Sequence, residues 1–274
     1  MQLFRRLIPE DWESFKNLEE GAFTDQKTSK ENFLQVTESV GFIGFIVNNE
    51  LVGYLKLGLM ENYGHLGQIA VKPADWGKGY GSKMMDFTID YFRKNNIERV
   101  GLYVETKNER AISLYKKYGF DFAFESWHYW IEEKYIKDIE KREKKQDTVN
   151  LRILDLDDYD LIVNTFSEIN EGELKVHLIT SAASLLGESI PLGLFLGDKL
   201  IVYGRFNPEF SGSRPFLCTE FKYVDLFLAK LKKYRKKEYI RLTFDKNKEL
   251  ANLFEKRGCK LWHHLQVMEK TIER

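Results

Sequence analysis

Cysteine is scarce in this sequence, whose 274 residues include only Cys218 and Cys259. Neither cysteine has the spacing of a metal site, and two isolated thiols do not make the framework of a disulfide-stapled protein. The first six residues lack the pattern of a secretory signal. We therefore expect both thiols to be reduced and the protein to be cytoplasmic.

Net charge and long apolar runs are also lacking. The 42 basic residues balance the 42 acidic ones, which argues against a general binder of nucleic acid or polyanions. No apolar run is long enough to cross a bilayer. We expect neither nucleic acid nor a membrane as partner, and we leave a homo-oligomer open. Hydrophobic residues make up 43% of the chain, enough to bury the cores of one large or two ordinary domains.

The most informative stretch is a glycine-rich segment between an apolar strand and a predicted helix. Gly77, Gly79 and Gly81 lie within five residues, and Lys78 and Lys83 add positive charge. Glycine has no Cβ, so its backbone N–H group can approach a ligand closely. The start of a helix also has unpaired amide donors and the positive end of the dipole. The pattern predicts a phosphate site.

Two common phosphate motifs do not fit this segment. The Walker motif needs Ser or Thr after Gly-Lys, but Gly79 follows Gly77 and Lys78. The dinucleotide fingerprint is spaced G-x-G-x-x-G, whereas these glycines are spaced G-x-G-x-G. A glycine-rich turn that binds no ligand is therefore the alternative at this point.

The segment resembles motif A of the GNAT superfamily, the acyl-CoA-dependent N-acyltransferases. Val71 and Pro73 match the start of that motif, and Gly79 and Gly81 match its glycines, whereas Trp76 stands where the family usually has Gln or Arg. A second family signature, N-x-x-A-x-x-L-Y-x-x-x-G-F, is matched downstream by Asn108, Ala111, Leu114, Tyr115, Gly119 and Phe120. The two matches occur in the family's order.

The resemblance implies three segments: a catalytic GNAT N-acetyltransferase domain over residues 1–135, a charged linker over 136–147, and a degenerate, non-catalytic copy over 148–274. The linker is inferred from a nearly all-charged run at residues 134–147. The second copy is inferred from two sets of recurring residues. Arg5, Leu7, Asp11 and Trp12 recur 147 positions later as Arg152, Leu154, Asp158 and Tyr159; Asn108, Leu114, Tyr115 and Gly119 recur 139 positions later as Asn247, Leu253, Phe254 and Gly258.

The predicted fold class is α+β, a mixed α/β fold of two tandem GNAT-like domains. Each domain is expected to have a mostly antiparallel central sheet flanked by helices. In the first copy, local signals predict a helix capped by Ser29, a hairpin turning at Asn48 and Asn49, and a helix capped by Asn108. An unrelated α/β domain with chance matches is the alternative for the second copy.

The resemblance also implies how acetyl-CoA is held. The glycine loop would bind the pyrophosphate, the preceding strand would present backbone groups to the pantetheine amides, and the next strand, over 102–104, would splay away. Asn108 would reach the cofactor arm, although it would serve equally as a simple helix cap. The implied cofactor-binding residues are Ile69, Ala70, Val71, Lys78, Gly79, Tyr80, Gly81, Ser82 and Asn108.

The implied reaction is direct attack of a primary amine on the thioester, without a covalent acyl-enzyme. Tyr115 stands where the family commonly places a tyrosine near the sulfur, where its hydroxyl would stabilise the leaving thiolate; the alternative is a core tyrosine. His65 and Glu61 compete as the base, although His65 would be equally at home facing solvent. No metal is expected, because His263 and His264 are adjacent on a predicted strand and point to opposite faces.

Two other functions stay open from the sequence. One is a CoA-binding or regulatory protein that has lost catalysis, and the other is a structural tandem module. The acceptor amine is also open among a peptide, an aminoglycoside, a polyamine and a small metabolite. The counterpart of the glycine loop, over residues 218–229, has no glycine, so we expect the second copy to bind no CoA.

Overall fold

The computed structural model describes residues 1–23, 27–142, 149–169, 171–182 and 189–273. The chain forms two compact units. The first unit comprises residues 1–124 and 266–274, and the second comprises residues 125–265. These limits differ from the predicted boundaries at 135 and 148, because the last nine residues belong to the first unit and a strand after residue 120 continues into the second.

The first unit follows the element order predicted for it. Ser29 caps the second helix by accepting a hydrogen bond from the Asn32 N–H group. Asn48 and Asn49 both have positive φ in the predicted hairpin turn. The elements are β1 (Gln2–Arg6), α1 (Trp12–Ala22), α2 (Lys30–Thr37), β2 (Phe42–Val47), β3 (Glu50–Met60), β4 (Tyr63–Val71), α3 (Tyr80–Lys94), β5 (Arg99–Glu105), α4 (Glu109–Lys117) and β6 (Asp121–Ile131).

The sheet of the first unit has helices packed on both faces. The strand order is β1-β2-β3-β4-β5, with antiparallel pairing throughout except between β4 and β5, which are parallel. One buried cluster joins α3 and α4 to the sheet, and another joins α1 and α2 to it. The neighbouring residues Tyr54 and Leu55 of β3 belong to different clusters, as side chains on opposite faces do.

The C-terminal residues complete the first unit. Met268 is fully buried in the same cluster as Phe92 of α3. The Ile272 N–H group donates a hydrogen bond of 2.8 Å to the Glu98 carbonyl. Residues distant in sequence thus supply the strand beside β5, so the core of this unit depends on both ends of the chain.

The strands of the second unit lie in the order β7-β8-β9-β10-β11, followed by β6. The described part of the predicted linker is a helix, whose Ile136 and Ile139 are fully buried in the core of this unit. The elements are α5 (Glu133–Arg142), β7 (Val149–Ile153), α6 (Tyr159–Thr165), α7 (Glu171–Ala182), β8 (Ile190–Leu196), β9 (Lys199–Asn207), β10 (Gly212–Cys218), α8 (Val224–Lys230), β11 (Ile240–Asp245), α9 (Lys248–Lys256) and β12 (Lys260–Thr271).

An arginine in the first strand of each copy pairs with an aspartate that follows the strand. Arg5 donates two hydrogen bonds, of 2.6 and 2.7 Å, to the Asp11 carboxylate. Arg152 makes the same paired contact with Asp158, at 2.7 and 2.5 Å. Bidentate pairs of this kind fix both geometry and charge. The recurrence confirms the tandem arrangement that the sequence predicts.

The helix caps recur as well. Asn108 accepts a hydrogen bond from the Ala111 N–H group at the start of α4, and Asn247 accepts one from Leu250 at the start of α9. Gly119 and Gly258 end these helices with φ of 76° and 69°. The two units therefore begin and end the same helix with the same residue types.

Replacing Asp158 by Asn should destabilise the protein by about 1.5–3 kcal/mol, the usual cost of losing hydrogen bonds to a charged partner. The hydrogen bonds from Arg152 lower the pKa of Asp158. The stabilisation is therefore complete above the ordinary carboxyl pKa of 3.8 and is lost as the pH falls through the lowered value. Thermal unfolding of wild type and variant between pH 7 and the acid limit measures this difference.

The matched control is Asp157→Asn, which changes an exposed neighbouring carboxylate. It should leave the stability nearly unchanged. Equal losses in both variants, or a difference for Asp158→Asn that does not shrink in acid, would contradict the assigned role of the pair.

Candidate functional site

Open space surrounds the backbone between β4 and α3. Gly77 and Gly79 have φ of 81° and 77°, a region that favours glycine, and Gly79 is the N-cap of α3. A Cβ added to either residue would meet no atom within 4 Å. The first turn of α3, from Tyr80 through Ser82, therefore begins beside unfilled space. An anion can approach the unpaired amides there.

Strands β4 and β5 diverge next to this loop. Their parallel pairing covers only Tyr63–Leu66 and Arg99–Leu102. Beyond these residues β4 continues to Val71 and β5 continues to Glu105 without pairing with each other. The edge of β4 that faces β5 thus has no strand partner along Ile69, Ala70 and Val71, although the Val71 carbonyl accepts a hydrogen bond from Trp76. This is the splay that the resemblance implies.

The two lysines of the glycine segment contact protein groups rather than the open space. Lys78 forms an ion pair with Asp75 at 2.7 Å, and the hydrogen bond from this pair raises the pKa of Lys78. Lys83 donates a hydrogen bond of 2.6 Å to the Gln2 side chain. Both side chains are exposed. Each lysine can therefore leave its present partner and bind an anion instead.

Trp76 and Arg110 form a contact that sequence reasoning missed. The Trp76 indole donates a hydrogen bond of 2.7 Å to the Val71 carbonyl, which ties the loop to the end of β4. The Arg110 guanidinium lies over the indole ring, 4.4 Å from its centroid. Arg110 has no ion-pair partner among the described residues. A tryptophan in place of the family's usual Gln or Arg thus places a cation from α4 beside the loop.

Tyr115 is buried on α4, with 6% of its surface exposed, and it packs near the Phe120 ring. Burial raises the pKa of its hydroxyl above the ordinary 10. Within the described part of the chain, this hydroxyl has no hydrogen-bond partner. It therefore stays protonated across the usual pH range and is available to donate.

His65 and Glu61 occupy different environments. Glu61 is exposed in the turn after β3 and has a φ of 46°. His65 is half-buried on β4, with its ring 5.9 Å from the Tyr103 ring. The next residue, Leu66, points into the α3–α4 cluster that also contains Tyr115, so His65 lies on the opposite face of the strand.

A pocket of about 350 Å³ lies on the face of the sheet covered by α1 and α2. Its lining combines aromatic rings, neutral polar side chains and one lysine. No sequence motif pointed to it, because its residues come from five elements and the loop before α2. The lining residues are Phe15, Thr28, Asn32, Phe33, Gln35, Val36, Phe42, Lys56 and Gln68.

The corresponding region of the second unit lacks the features of the glycine loop. The connection from β10 to α8 contains no glycine, and Glu220 within it is paired with Lys199 and Lys222 at 2.8 and 3.1 Å. Phe254, the counterpart of Tyr115, is fully buried in the core.

Burial raises the pKa of the Cys218 thiol at the end of β10 to about 12, so this thiol is not a nucleophile near neutral pH.

Neither a metal cluster nor a membrane-spanning helix occurs among the described residues. They contain no group of three or more His, Cys, Asp or Glu side chains arranged to hold a metal ion. No helix in the described ranges is both long and apolar enough to span a membrane. His263 and His264 face different neighbours, the His128 ring and Glu125 respectively.

Comparisons with known proteins match this geometry. The acetyltransferase (GNAT) family model matches residues 4–120. Over 57 residues the chain is 39% identical to the mycothiol acetyltransferase of Beutenbergia cavernae, a match that covers 21% of this chain and only 19% of that protein. Over 117 residues it is 23% identical to a putative ribosomal protein bS18-alanine N-acetyltransferase of Bacillus subtilis, covering 42% of this chain and 78% of that protein.

Two solved structures resemble the whole chain. A GCN5-related N-acetyltransferase from Sphaerobacter thermophilus superposes with a TM-score of 0.70 at 13% identity, over 100% of this chain and 96% of that one. A tandem GNAT protein from the clavulanic acid biosynthesis pathway superposes with a TM-score of 0.62 at 10% identity, over 100% and 99%. At such identities the likeness concerns the fold. Residues 4–120 therefore form a domain of the acetyltransferase (GNAT) family, and the chain as a whole has the fold of a tandem GNAT protein.

Proposed function

We propose that the protein transfers an acetyl group from acetyl-CoA to a primary amine, and that the first unit does the chemistry. The observation that carries this proposal is the coincidence of two openings. The open glycine loop follows the end of β4. An extended cofactor bound along the unpaired edge of β4 would therefore place its phosphates at the start of α3. A glycine-rich turn without a ligand has no need of the divergent strands.

Three parts of the site fit the cofactor: the first amides of α3, the edge of β4 and two cationic side chains. The N–H groups of Gly79, Tyr80, Gly81 and Ser82 would bind the pyrophosphate. The free edge over residues 69–71 would bind the pantetheine amides, with the Val71 carbonyl already engaged by Trp76. Lys78 and Arg110 would supply positive charge, Arg110 from its position over the indole ring. Asn108 serves as the cap of α4, which positions Arg110 two residues later.

Side chains of the protein would then act on two groups, the leaving thiolate and the attacking amine. Acetyl-CoA supplies a thioester that an amine attacks directly, and no acyl-enzyme is needed. The protonated, unpartnered hydroxyl of Tyr115 would donate a hydrogen bond to the leaving thiolate. An alkyl amine must lose a proton first, and His65 or Glu61 would accept it directly or through water. Of these two, His65 is the half-buried group on the strand that carries the free edge.

Replacing Gly79 by Ala should weaken CoA binding about tenfold or more, a change of about 1.4 kcal/mol. The added Cβ would occupy the space beside the first amides of α3, and the positive φ would be strained. Calorimetric titration with CoA measures the affinity. The matched control is Gly197→Ala, which also has positive φ and open surroundings but lies in the turn between β8 and β9. Equal CoA affinity in the two variants would contradict the proposed loop.

Replacing Tyr115 by Phe should lower turnover on the order of 100-fold while leaving CoA affinity nearly unchanged, because one donor to a developing negative charge is lost. Release of free CoA thiol measures the rate. The control is Tyr203→Phe, which removes another buried tyrosine hydroxyl, in the second unit. Wild-type turnover in Tyr115→Phe would remove this residue from the mechanism. CoA binding without turnover of any amine by the wild type would favour a regulatory CoA-binding protein.

One CoA should bind per chain. The second unit lacks the glycines of the loop, and the carboxylate of Glu220 stands where a pyrophosphate would need positive charge. The stoichiometry from calorimetry, with the protein concentration set by amino-acid analysis, tests this prediction. A second site per chain would show that the second unit has kept cofactor binding.

A further inference from the structure

Two facing residues of β3 and β4 connect the pocket under α1 and α2 with the segment proposed to hold the cofactor. Lys56 of β3 lies opposite Gln68 of β4 in the register of the two strands, and both side chains line the pocket. Gln68 directly precedes the free edge at Ile69–Val71. An amine held in this pocket would therefore lie next to the segment proposed to hold the pantetheine arm.

The pocket has a rigid aromatic wall. The Phe15 and Phe33 rings lie 4.8 Å apart, and the Phe42 ring lies 5.4 and 5.7 Å from them. All three rings are buried, with at most 3% of each exposed, so they fix the shape of the pocket and present only a narrow apolar surface. A volume of about 350 Å³ falls at the small end of the range for ligand sites, which suits a molecule of amino-acid size.

Among the residues that the structure describes, the lining of the pocket carries one charge, and that charge is positive. Lys56 is the charged residue among the described lining residues, it is exposed, and it has no ion-pair partner among described residues. The buried acid of α1, Glu19, is not available to a cation, because its two oxygens accept hydrogen bonds of 2.7 and 2.6 Å from the N–H and hydroxyl groups of Thr28. A polyamine or an aminoglycoside needs carboxylates, and this lining offers a lysine instead.

We infer that the acceptor is an amine with one apolar group and one carboxylate, of the kind found in apolar amino acids. The inference rests on the proposed function and names its substrate class. The apolar group packs against Phe15, Phe33 and Phe42, the carboxylate pairs with Lys56, and the amine faces β4. In the reaction a nitrogen–carbon bond forms and the carbon–sulfur bond breaks. The ammonium nitrogen loses two protons, of which one ends on the CoA thiol and the other in solvent.

The first experiment compares acceptors with and without the carboxylate. Phenylalanine, leucine and methionine, the corresponding amides, and spermidine are each incubated with the full-length protein and acetyl-CoA, and thiol release is followed. We expect the free amino acids to react with kcat/KM at least about tenfold above that of their amides, and spermidine to be the poorest acceptor. Preferential acetylation of the amides or of spermidine would overturn the inference and leave the acetyltransferase proposal standing.

The second experiment changes the charge of the pocket. Lys56→Met should raise KM for the amino acids about tenfold with a smaller effect on kcat, and Lys56→Glu should reverse the preference toward the amides. Lys16→Met, an exposed lysine of α1 outside the lining, is the control and should change neither value. CoA affinity, measured separately, should be the same in all three variants. An unchanged preference in Lys56→Glu would overturn the inference.

A binding measurement keeps the inference testable if no turnover is found. Titration of the wild-type protein with N-acetyl-phenylalanine, followed by ligand-detected NMR, should show binding that Lys56→Glu abolishes and Lys16→Met retains. Absence of binding to the wild type, or equal binding to Lys56→Glu, would count against the pocket. Failure of CoA to bind would count instead against the proposed function.

Discussion

The divergence of β4 from β5 is the constraint on which the candidate site depends. Parallel pairing ends at Leu66 and Leu102, and at the same level the β3–β4 register shifts, so that Gly67 has no partner on β3. An extra residue of this kind bends a strand and increases its twist. The bend frees one edge of β4 while the other edge stays paired with β3. Without it the backbone groups at Ile69–Val71 would be used up within the sheet.

The same bulge decides which side chains meet. Ile69 and Val71 pack against the α3–α4 cluster, whereas Ala70 belongs to the α1–α2 cluster and Gln68 lines the pocket on that side. The proposed acceptor pocket thus lies on one face of this short segment, and the proposed cofactor edge runs along its backbone. A single strand therefore brings together the residues proposed for two binding functions, which are scattered over the first 115 positions of the sequence.

The second unit has divergent strands but lacks the other features of the proposed cofactor site. Its strands β10 and β11 also pair in parallel over a short stretch only, Gly212–Ser213 with Arg241–Leu242. The arginine–aspartate pair and the helix caps are retained there. What is missing is the open, glycine-bearing connection to the following helix and a hydroxyl on α9. The features shared by the units are those that the fold needs, and the features unique to the first unit are those that a phosphate and a leaving thiolate need.

The sequence by itself determined the local features: the caps at Ser29 and Asn108, the turn at Asn48 and Asn49, and the order of the two motifs. Such signals depend on residues a few positions apart, and for that reason the family and the tandem arrangement follow from the order of the residues alone. The tertiary structure alone decided features that depend on distant residues. It assigned the last nine residues to the first unit, buried Ile136 and Ile139 of a segment that composition marked as a linker, and placed Arg110 over Trp76. It also brought Lys56 beside Gln68, because strand pairing and side-chain packing depend on partners that no local pattern in the chain specifies.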